Sequence, residues 1–548
     1  MGTGLDYTPV TAMGDLLLRA AGLWPDRDAV VFDTWKITYA GLHDRAMARA
    51  RELYGQGVRP GDHVGILLVT CPEYAEYYFG IAYLGAVAVP INARYRADEL
   101  RYQTLNADLV HIVTTGLVAE GLDFRERIYS AFPALRDMPV DADIALEDAP
   151  RLRGISLLTD EAAAGFRRQS TAAAFAEGVD DAVITRIRRG VSVRAPALIL
   201  YTSGTTSDPK GCVISHEALV RCGMAMADRY DMSQEDVFWA PLPLFHVAAL
   251  VVISASFSVG ASYVAMQHFN AGDAIRLIRE KRVTMGYPSF ALFLSDMVHH
   301  PDFRAADMET VRLINCSMAL SPQNFRDKMK ESFPNAVFVG TYGMTETAGP
   351  LTTSFPTDPE EERFNRLGRP FDGLAARIER ADGTLADTGE IGEICVRGYS
   401  VFSEYYKDPA KTASSFRDGW FHTGDLGSID AAGTLMFHGR QKDMLKVGGE
   451  NVAALEIEIT VAKHPAVKTC QVVGQPDDRL QEVPFAFVEL VPGTTVDPKE
   501  LIDYCKDRIA SFKVPRGVHF VDEWPMSSSK IQKFKLREQL LAMIAARG

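Results

Sequence analysis

"LILYTSGTTSDPKG", residues 198–211, is the stretch on which an argument about fold and chemistry can be built. An apolar strand runs into a loop of small hydroxyl residues and glycines, whose hydroxyl and main-chain N–H groups can surround phosphate oxygens. The common loop G-x-x-x-x-G-K-[ST] is absent, because Pro209 replaces its second glycine and Gly211 its Ser or Thr. The stretch predicts a phosphate site of another type, with a hydrophilic turn as the alternative.

The composition is that of an acidic globular protein. The chain has 548 residues, more than one hydrophobic core usually supports, so we expect at least two domains. The net charge is −13 without a sizeable run of Lys or Arg, which argues against nucleic acid or an anionic membrane as partner. Seven scattered cysteines, no C-x-x-C and no signal-like N-terminus predict a cytoplasmic protein with free thiols.

One segment, residues 247–266, carries no charge and is long enough to span a bilayer. It is also rich in serine and small residues, with Gly260 in its second half. A buried helix, a turn and a buried strand fit this pattern at least as well. We therefore expect a segment of a soluble protein rather than an integral membrane segment.

The first part of the chain predicts alternating strands and helices. Apolar residues 62–70 and 87–92 read as strands and residues 71–86 as the helix between them, a unit typical of a parallel sheet covered by helices. A further helix begins after Ser215, a favourable N-cap. Residues 119–194 are polar, show no motif and predict surface elaboration of the first domain.

From about Glu390 the sequence pattern changes to short apolar runs separated by Gly or Asp-Gly, which predicts an antiparallel sheet or barrel. After Gln441 strands and helices mix again. The sequence thus predicts an α/β fold with a large N-terminal domain, residues 1–440, of layered sheets and helices with a small barrel subdomain. A small α+β C-terminal domain follows, residues 441–548.

Three further motifs carry groups suited to nucleotide chemistry. In "YGMTETAG", residues 342–349, Tyr342 could stack on a base, Thr345 could donate to a phosphate, and Glu346 could hold Mg²⁺, which prefers oxygen ligands. A polar loop after a strand is the alternative. In "WFHTGDLG", residues 420–427, Asp425 could accept two ribose hydroxyls, although turn aspartates are common.

Arg440, fifteen residues after Asp425, could reach a ribose or a phosphate. The remaining motif is "WPMSSSKIQKFKLRE", residues 524–538, in which Lys530 follows three serines. A solvated basic tail is the alternative for this run. Each motif alone is weak evidence.

In this order and combination, "YTSGTTSDPKG", "YGMTE", "HTGDLG" and "GRQKDMLKVGGENV…EIE" resemble the adenylate-forming superfamily of acyl-CoA synthetases, peptide-synthetase adenylation domains and luciferases. The resemblance covers nearly the whole chain and looks closest to the fatty-acyl and crotonobetaine/carnitine–CoA ligase-like branches. It implies an AMP-forming acid–thiol ligase of lipid or fatty acid metabolism that uses ATP, Mg²⁺ and CoA. It also implies a mobile C-terminal domain with its hinge at Lys442.

The resemblance assigns a role to each motif. Lys530 would bridge the acid and the α-phosphate, Glu346 would bind Mg²⁺, and His246 would gate the acid carboxylate; with Thr205 these are the expected catalytic residues. Gly448 and Gly449 would line the CoA channel. The other expected nucleotide- and CoA-binding residues are Thr202, Ser203, Gly204, Thr206, Lys210, Ser317, Met318, Ala319, Thr341, Tyr342, Gly343, Met344, Thr345, Asp425, Arg440 and Lys446.

The sequence departs from the family pattern at two positions. Ser529 replaces a glycine that usually precedes the catalytic lysine, which makes Lys533 and Lys535 competitors of Lys530. Met318 replaces a glycine of the pocket turn. The expected acid wall is small and apolar, and it predicts a fatty, aromatic or steroid side-chain acid. Its members are His246, Val247, Gly286, Tyr287, Ser317, Gly340 and Thr341.

Two alternatives stay open at this point. The acyl-adenylate could be passed to a separate carrier protein instead of CoA, or the chain could be a non-catalytic nucleotide-binding member of the fold. Glu346, Arg440 and Lys530 are all present, which disfavours the second. The expected partners are small molecules, not nucleic acid, and a homodimer is an open possibility.

Overall fold

The computed structural model describes residues 11–116, 118–119, 122–202, 209–289, 291–316, 323–447, 450–477, 479–506, 508–527 and 530–545. The helices up to Arg440 are α1 Met13–Leu23, α2 Tyr39–Gly55, α3 Pro72–Tyr83, α4 Ala97–Asn106, α5 Phe124–Ala131, α6 Gln169–Ala174, α7 Asp181–Arg189, α8 His216–Arg229, α9 Val247–Val259, α10 Ala271–Glu280, α11 Ala291–Val298, α12 Gln323–Ser332, α13 Glu360–Asn365 and α14 Pro409–Ser415.

The strands of the same part begin with those of the α/β layers: β1 Asp28–Val31, β2 Lys36–Thr38, β3 His63–Leu67, β4 Val87–Pro90, β5 Leu109–Thr114, β6 Val118–Ala119, β7 Leu122–Asp123, β8 Gly154–Leu157, β9 Pro196–Thr202, β10 Lys210–Ser215, β11 Val237–Trp239, β12 Ser262–Val264, β13 Met285–Gly286, β14 Leu313–Asn315 and β15 Val337–Val339. The later strands are β16 Thr341–Met344, β17 Gly349–Thr353, β18 Arg369–Pro370, β19 Leu374–Glu379, β20 Gly392–Gly398, β21 Glu404–Tyr405, β22 Phe416–Arg417, β23 Trp420–Ile429 and β24 Leu435–Arg440.

Two seven-stranded sheets form the framework. One has the order β15-β14-β13-β11-β12-β1-β2 and is parallel except at its edge strand β2. The other has the order β21-β10-β9-β4-β3-β5-β8, with β10 and β21 antiparallel at one edge. The predicted parallel unit 62–92 is confirmed, since β3 and β4 pair in parallel and α3 connects them.

Helices α1, α2, α3, α8 and α9 contribute to a large hydrophobic core. Phe79 of α3 and Phe257 of α9 stack with ring centroids 5.3 Å apart, and both side chains are buried. Ser215 caps α8, as predicted, by accepting a hydrogen bond from the main chain of Ala218. Burial of each such aromatic ring contributes about 2–3 kcal/mol through the apolar area removed from water.

The uncharged segment 247–266 folds as predicted. Helix α9 is buried and ends at Gly260, and β12 follows inside the first sheet. Among the described residues, no helix is both long and apolar enough to cross a membrane.

The prediction for residues 119–194 is wrong in part, because this segment supplies framework as well as surface. Strand β8 pairs in parallel with β5 at the edge of the second sheet, and Ile155 and Leu157 are fully buried. Helix α7 packs against α2 and α3 with Ile184 in the core. The strand was overlooked because its short apolar run lies between charged, turn-like residues.

The part of the chain from about Glu390 is antiparallel, as predicted, and the antiparallel pairing begins earlier, at β16. Strands β19, β20, β22, β23 and β24 form one five-stranded sheet, and β16, β17 and β18 form a three-stranded sheet. The sheet β19–β24 carries the "HTGD" motif on β23, and the three-stranded sheet carries "YGMT" on β16.

The C-terminal part has its own sheet, of order β26-β25-β28-β27 with β29 beside β28. Its elements are β25 Met444–Val447, β26 Glu450–Ala453, α15 Ala454–Ala462, β27 Val467–Asp477, β28 Gln481–Leu490, α16 Pro498–Lys506, β29 Gly517–Phe520, β30 Met526–Ser527, β31 Lys530–Ile531 and α17 Lys533–Ala545. The predicted α+β class is confirmed.

Candidate active site

The loop from which the sequence argument started closes a hairpin. Strands β9 and β10 pair antiparallel with Thr202 opposite Lys210, so the chain turns back on itself between them. Strand β10 was not predicted; a P-loop would lead from a strand into a helix instead. Four expected phosphate-binding residues, Ser203, Gly204, Thr205 and Thr206, lie outside the described residues.

Glu346 lies close to this hairpin. It belongs to a single 3-10 turn, Thr345–Thr347, directly after β16. The hydroxyl of Tyr405 donates to Oε1 of Glu346 over 3.1 Å, and Nζ of Lys210 lies 5.9 Å from the centroid of the Tyr405 ring. The structure therefore brings Lys210 and Glu346 to the same place through Tyr405, a residue that the sequence analysis missed.

Cys212, the residue opposite Tyr405 in the β10–β21 pair, completes this group. Burial raises the pKa of the Cys212 thiol well above its ordinary value, and the carboxylate of Glu346 adds to the effect. The thiol therefore stays protonated and uncharged. Of these groups, the Glu346 carboxylate is the one that fits a hard cation such as Mg²⁺, which prefers oxygen ligands.

Tyr342, Asp425 and Arg440 form a second group. The Tyr342 hydroxyl donates to Oδ2 of Asp425 over 2.9 Å across 83 residues of sequence, and Nε of Arg440 lies 3.4 Å from Oδ1. Asp425 and Arg440 are opposite each other on β23 and β24. Burial, then the Asp425 carboxylate, raise the pKa of Tyr342 well above its ordinary value. A hydroxyl, a carboxylate and a guanidinium thus converge at one point.

The residues of the expected acid wall have the following surroundings. His246 lies at the N-terminus of α9, its ring centroid 5.0 Å from that of Phe245. Thr341 accepts a hydrogen bond from Nδ2 of Asn315 over 3.1 Å, so its hydroxyl belongs to a buried polar network. A Cβ atom at Gly340 would lie 2.4 Å from the carbonyl oxygen of Arg366, so packing of the main chain explains that glycine.

Other expected residues of this region are placed as follows. Val247 and Tyr287 are buried, and Gly343 and Met344 lie in β16 beside Tyr342. The turn Ser317, Met318 and Ala319 lies outside the described residues.

In the C-terminal part, Lys446 lies in β25, and its main-chain N–H donates to Oε2 of Glu482 over 3.1 Å. Gly448 and Gly449 lie outside the described residues. Lys530 lies in β31, whose main chain pairs with Ser527. Its side chain is outside the described part.

Lys533, one of the two competitors of Lys530, forms an ion pair with Glu458. Its Nζ lies 2.6 Å from Oε1 of Glu458, a carboxylate that also accepts from the main-chain N–H of Val472 over 2.7 Å. Glu458 is 8% exposed in its side chain. Lys533 is thus engaged in an ion pair inside the C-terminal part.

A short 3-10 turn, Gln441–Asp443, connects β24 of the large part to β25 of the small sheet. Lys442 is the middle residue of this turn. Burial, with Arg440 nearby, lowers the pKa of the Lys442 ammonium group. The expected hinge residue therefore sits between two sheets that belong to different parts of the chain.

Behind Asp425, the atoms of Glu379, Cys395 and His422 that could bind a metal lie within 4.8 Å of one another. Arg377 and Arg417 both pair with the Glu379 carboxylate. Burial, with Glu379 beside it, raises the pKa of the Cys395 thiol to about 12. Two arginines thus balance the charge of the Glu379 carboxylate, and the group is an ion-pair cluster as it stands.

Two family models match the chain: the AMP-binding enzyme over residues 17–406 and the AMP-binding enzyme C-terminal domain over residues 456–530. A relative is the mitochondrial medium-chain acyl-CoA ligase ACSF2 of Rattus norvegicus, 30% identical over 557 residues, which are 96% of this chain and 87% of that protein. Another is the crotonobetaine/carnitine–CoA ligase of Proteus mirabilis (strain HI4320), 31% identical over 519 residues, 93% and 95% of the two chains.

Among solved structures, the chain is similar to o-succinylbenzoate coenzyme A synthetase from Bacillus subtilis in complex with ATP and magnesium ion. The TM-score is 0.76 at 25% identity, and the match covers 95% of this chain and 99% of that one. These matches agree with the resemblance found in the sequence, including its ligase branches.

Proposed function

Because the chain belongs to the AMP-binding enzyme family and is an AMP-forming acid–CoA ligase, we propose that its substrate is an apolar carboxylic acid of fatty, aromatic or steroid side-chain type. The acid carboxylate attacks the α-phosphorus of ATP, which gives acyl-AMP and releases pyrophosphate. The CoA thiolate then attacks the acyl carbon and AMP leaves. The convergence of Tyr342, Asp425 and Arg440 from separate motifs carries the ATP part of this chemistry, and the buried apolar residues of the expected acid wall carry the class of acid.

Asp425 is proposed to bind the ribose. Its carboxylate is held by the Tyr342 hydroxyl and faces Arg440, so its two oxygens are fixed and able to accept from the two ribose hydroxyls. Arg440 is 42% exposed in its side chain and can reach a ribose or phosphate oxygen. Tyr342 and Thr345, joined through β16, would contact the adenine and the α-phosphate.

The first step brings two anions together, so positive charge is needed where the phosphates lie. Lys210, at the end of the β9–β10 hairpin, and Thr202 opposite it would hold the β- and γ-phosphates. The Glu346 carboxylate, held by the Tyr405 hydroxyl, supplies oxygen atoms suited to Mg²⁺, and a bound Mg²⁺ ion would offset phosphate charge. Lys530 would bridge the acid carboxylate and the α-phosphate and stabilise the developing charge.

We place the domain boundary at Gln441. The 3-10 turn Gln441–Asp443 supports this placement because it lies between strands of two different sheets. Rotation about Lys442 would withdraw Lys530 after adenylation and bring Gly448 and Gly449 to the acyl-AMP, where they would line the path of the CoA arm. A hinged domain can serve both steps in this way.

The class of acid is inferred from the surroundings of Tyr287. Tyr287 and Val247, two residues of the expected acid wall, are buried in the same hydrophobic cluster. Such walls favour a hydrocarbon or aromatic chain over an acid with a second charge.

The test is incubation of the protein with ATP, Mg²⁺, CoA and a panel of carboxylic acids of graded length, aromaticity and charge. We expect AMP, pyrophosphate and acyl-CoA to form in equal amounts with apolar acids. Preference for charged acids would overturn the proposed class. Acyl-AMP without acyl-CoA would instead favour a carrier-protein acceptor, and no AMP with any acid would favour the non-catalytic alternative.

A further inference from the structure

The ribose-binding segment proposed above is a β-bulge. On β23 and β20, Leu426 pairs with Glu393 and His422 pairs with Cys395. Residues 423–425 of β23 therefore lie opposite the single residue Ile394. Bulges of this kind next to active sites redirect side chains, and here the redirected residue is Asp425.

Glu393 ties the middle of the bulge to the residue that precedes it. Oε2 of its carboxylate accepts from Nδ1 of His422 over 2.8 Å, and Oε1 accepts from the main-chain N–H of Gly424 over 3.0 Å. Thr423 adds a third link, because its hydroxyl donates to the carbonyl oxygen of Ile394 over 2.8 Å. One carboxylate thus holds Gly424, inside the bulge, and His422, the last paired residue before it.

The conformation of Gly424 shows why this support matters. Its φ is +72°, and no atom lies within 4 Å of the position that a Cβ would take. Glycine adopts this left-handed conformation without strain, and the hydrogen bond from the Gly424 N–H to Glu393 helps to fix it. Gly424, whose N–H Glu393 binds, is the residue immediately before Asp425. The N–H of Asp425 itself donates to the Thr423 hydroxyl over 3.1 Å.

We propose that Glu393 is a positioning residue for the nucleotide: by holding His422 and Gly424 it fixes the direction in which Asp425 presents its carboxylate to the ribose. The inference rests on the proposed ribose role of Asp425. A residue that only stabilised the sheet would affect all substrates alike. A residue that positions Asp425 affects ATP, and specifically the recognition of its ribose hydroxyls.

The experiment compares Glu393→Gln with the wild type, using ATP and 2′-deoxy-ATP. An amide offers one acceptor oxygen where the carboxylate offers two, so the bond to either His422 or Gly424 is lost while size is kept. Because hydrogen bonds to charged groups are among the stronger ones, we expect KM for ATP to rise about tenfold with KM for the acid unchanged. The preference in kcat/KM for ATP over 2′-deoxy-ATP falls.

Glu390→Gln is the matched control. Glu390 lies just before β20, and its carboxylate likewise holds one side chain and one main-chain group: it accepts from Nε of Arg380 over 2.7 Å and from the N–H of Asp387 over 2.9 Å. Neither group belongs to the bulge, so this variant is expected to keep the wild-type preference for ATP over 2′-deoxy-ATP. If Glu390→Gln loses that preference as well, the effect belongs to the sheet and the positioning role is refuted.

Asp425→Asn distinguishes a failure of the Glu393 inference from a failure of the proposed ribose role of Asp425. If Asp425→Asn lowers the preference for ATP over 2′-deoxy-ATP and Glu393→Gln does not, the inference fails and the proposed function stands. If Asp425→Asn leaves the preference unchanged, the ribose role itself is wrong. Should Glu393→Gln not fold, Gly424→Ala strains the same turn from the other side, and a normal KM for ATP in that variant would overturn the inference.

Discussion

Tyr405 and Glu346 are joined across 59 residues of sequence by a hydrogen bond of 3.1 Å from the phenol to the carboxylate. The main-chain N–H of Phe402 donates to the carbonyl oxygen of Glu346 over 2.8 Å. The segment around β21 thus holds the glutamate by its side chain and by its backbone. Since Tyr405 is only 7% exposed, this bond is protected from water.

Tyr405→Phe should weaken the use of Mg²⁺. Without the phenol donor the Glu346 carboxylate is less well fixed, and the loss of a hydrogen bond to a charged group predicts adenylation about tenfold slower. The Mg²⁺ concentration for half-maximal rate should rise as well. Pyrophosphate release measured against Mg²⁺ tests this, while formation of acyl-CoA from supplied acyl-AMP should be unchanged.

The neighbouring tyrosine provides the control. Tyr406 donates to Oδ2 of Asp108 over 2.9 Å, on the far side of the sheet edge from Glu346. Tyr406→Phe removes an equivalent bond to a carboxylate and should leave the Mg²⁺ dependence as in the wild type. Equal Mg²⁺ dependence in both variants would show that the Tyr405 bond does not serve the metal site.

A buried histidine predicts a loss of stability in mild acid. Burial, with Arg167 and Arg153 nearby, lowers the pKa of His111 to about 3, and Nε2 lies 2.9 Å from the Ser156 hydroxyl. The unfolded chain takes up this proton below about pH 6.5 and the folded chain does not. The contribution of His111 to stability is therefore fully present above pH 6.5 and is lost as the pH decreases. The free energy of unfolding should decrease by about 2 kcal/mol from pH 8 to pH 5.

Urea unfolding at the two pH values measures this loss, and His111→Gln isolates it. The glutamine keeps a neutral polar group but does not titrate, so its free energy of unfolding should fall less between pH 8 and pH 5. His216, whose pKa burial lowers to about 4, contributes equally in both proteins. An identical pH dependence of variant and wild type would contradict the assignment.

Elements with strong local signals could be predicted from the sequence. The uncharged run with Gly260 predicts α9, a turn and β12, and Ser215 predicts the start of α8. The motifs carrying Tyr342, Asp425 and Glu346 could be found because each combines turn residues with groups suited to nucleotides.

Contacts made through strand pairing could not be predicted in this way. β21 has two residues, and only its pairing with β10 brings Tyr405 to Glu346. Glu393 lies in an ordinary-looking strand, and its role follows from the register of β20 against β23. Register depends on the packing of the whole sheet, which a local pattern does not contain.

The edge strand β8 allows a stability test of whether its segment belongs to the core or to the surface. Ile155 is 0% exposed although its surroundings in sequence are polar, so Ile155→Ala should lower the free energy of unfolding by about 2–4 kcal/mol. Val140, in the same segment but 37% exposed, is the control, and Val140→Ala should change it by less than about 0.5 kcal/mol. Equal small effects at both sites would restore the interpretation of this segment as surface.

The two lysines after β30 should separate catalysis from stability. Lys530→Ala removes the proposed bridging charge and should slow adenylation by about 10²–10³, the usual effect of losing one preorganised group. Its thioesterification of supplied acyl-AMP should be spared. Equal loss of both half-reactions would refute the role given to Lys530.

Lys533→Ala is expected to behave in the opposite way, because Lys533 pairs with Glu458 over 2.6 Å. The variant leaves a largely buried carboxylate with fewer partners, which should lower stability by about 1–3 kcal/mol. Its adenylation rate, measured as pyrophosphate release well below the melting temperature, should stay within about threefold of the wild type, since the pair lies inside the C-terminal part. Were Lys533→Ala to block adenylation while Lys530→Ala did not, the bridging role would pass to Lys533, and the Glu458 pair would have to break whenever the enzyme adenylates its acid.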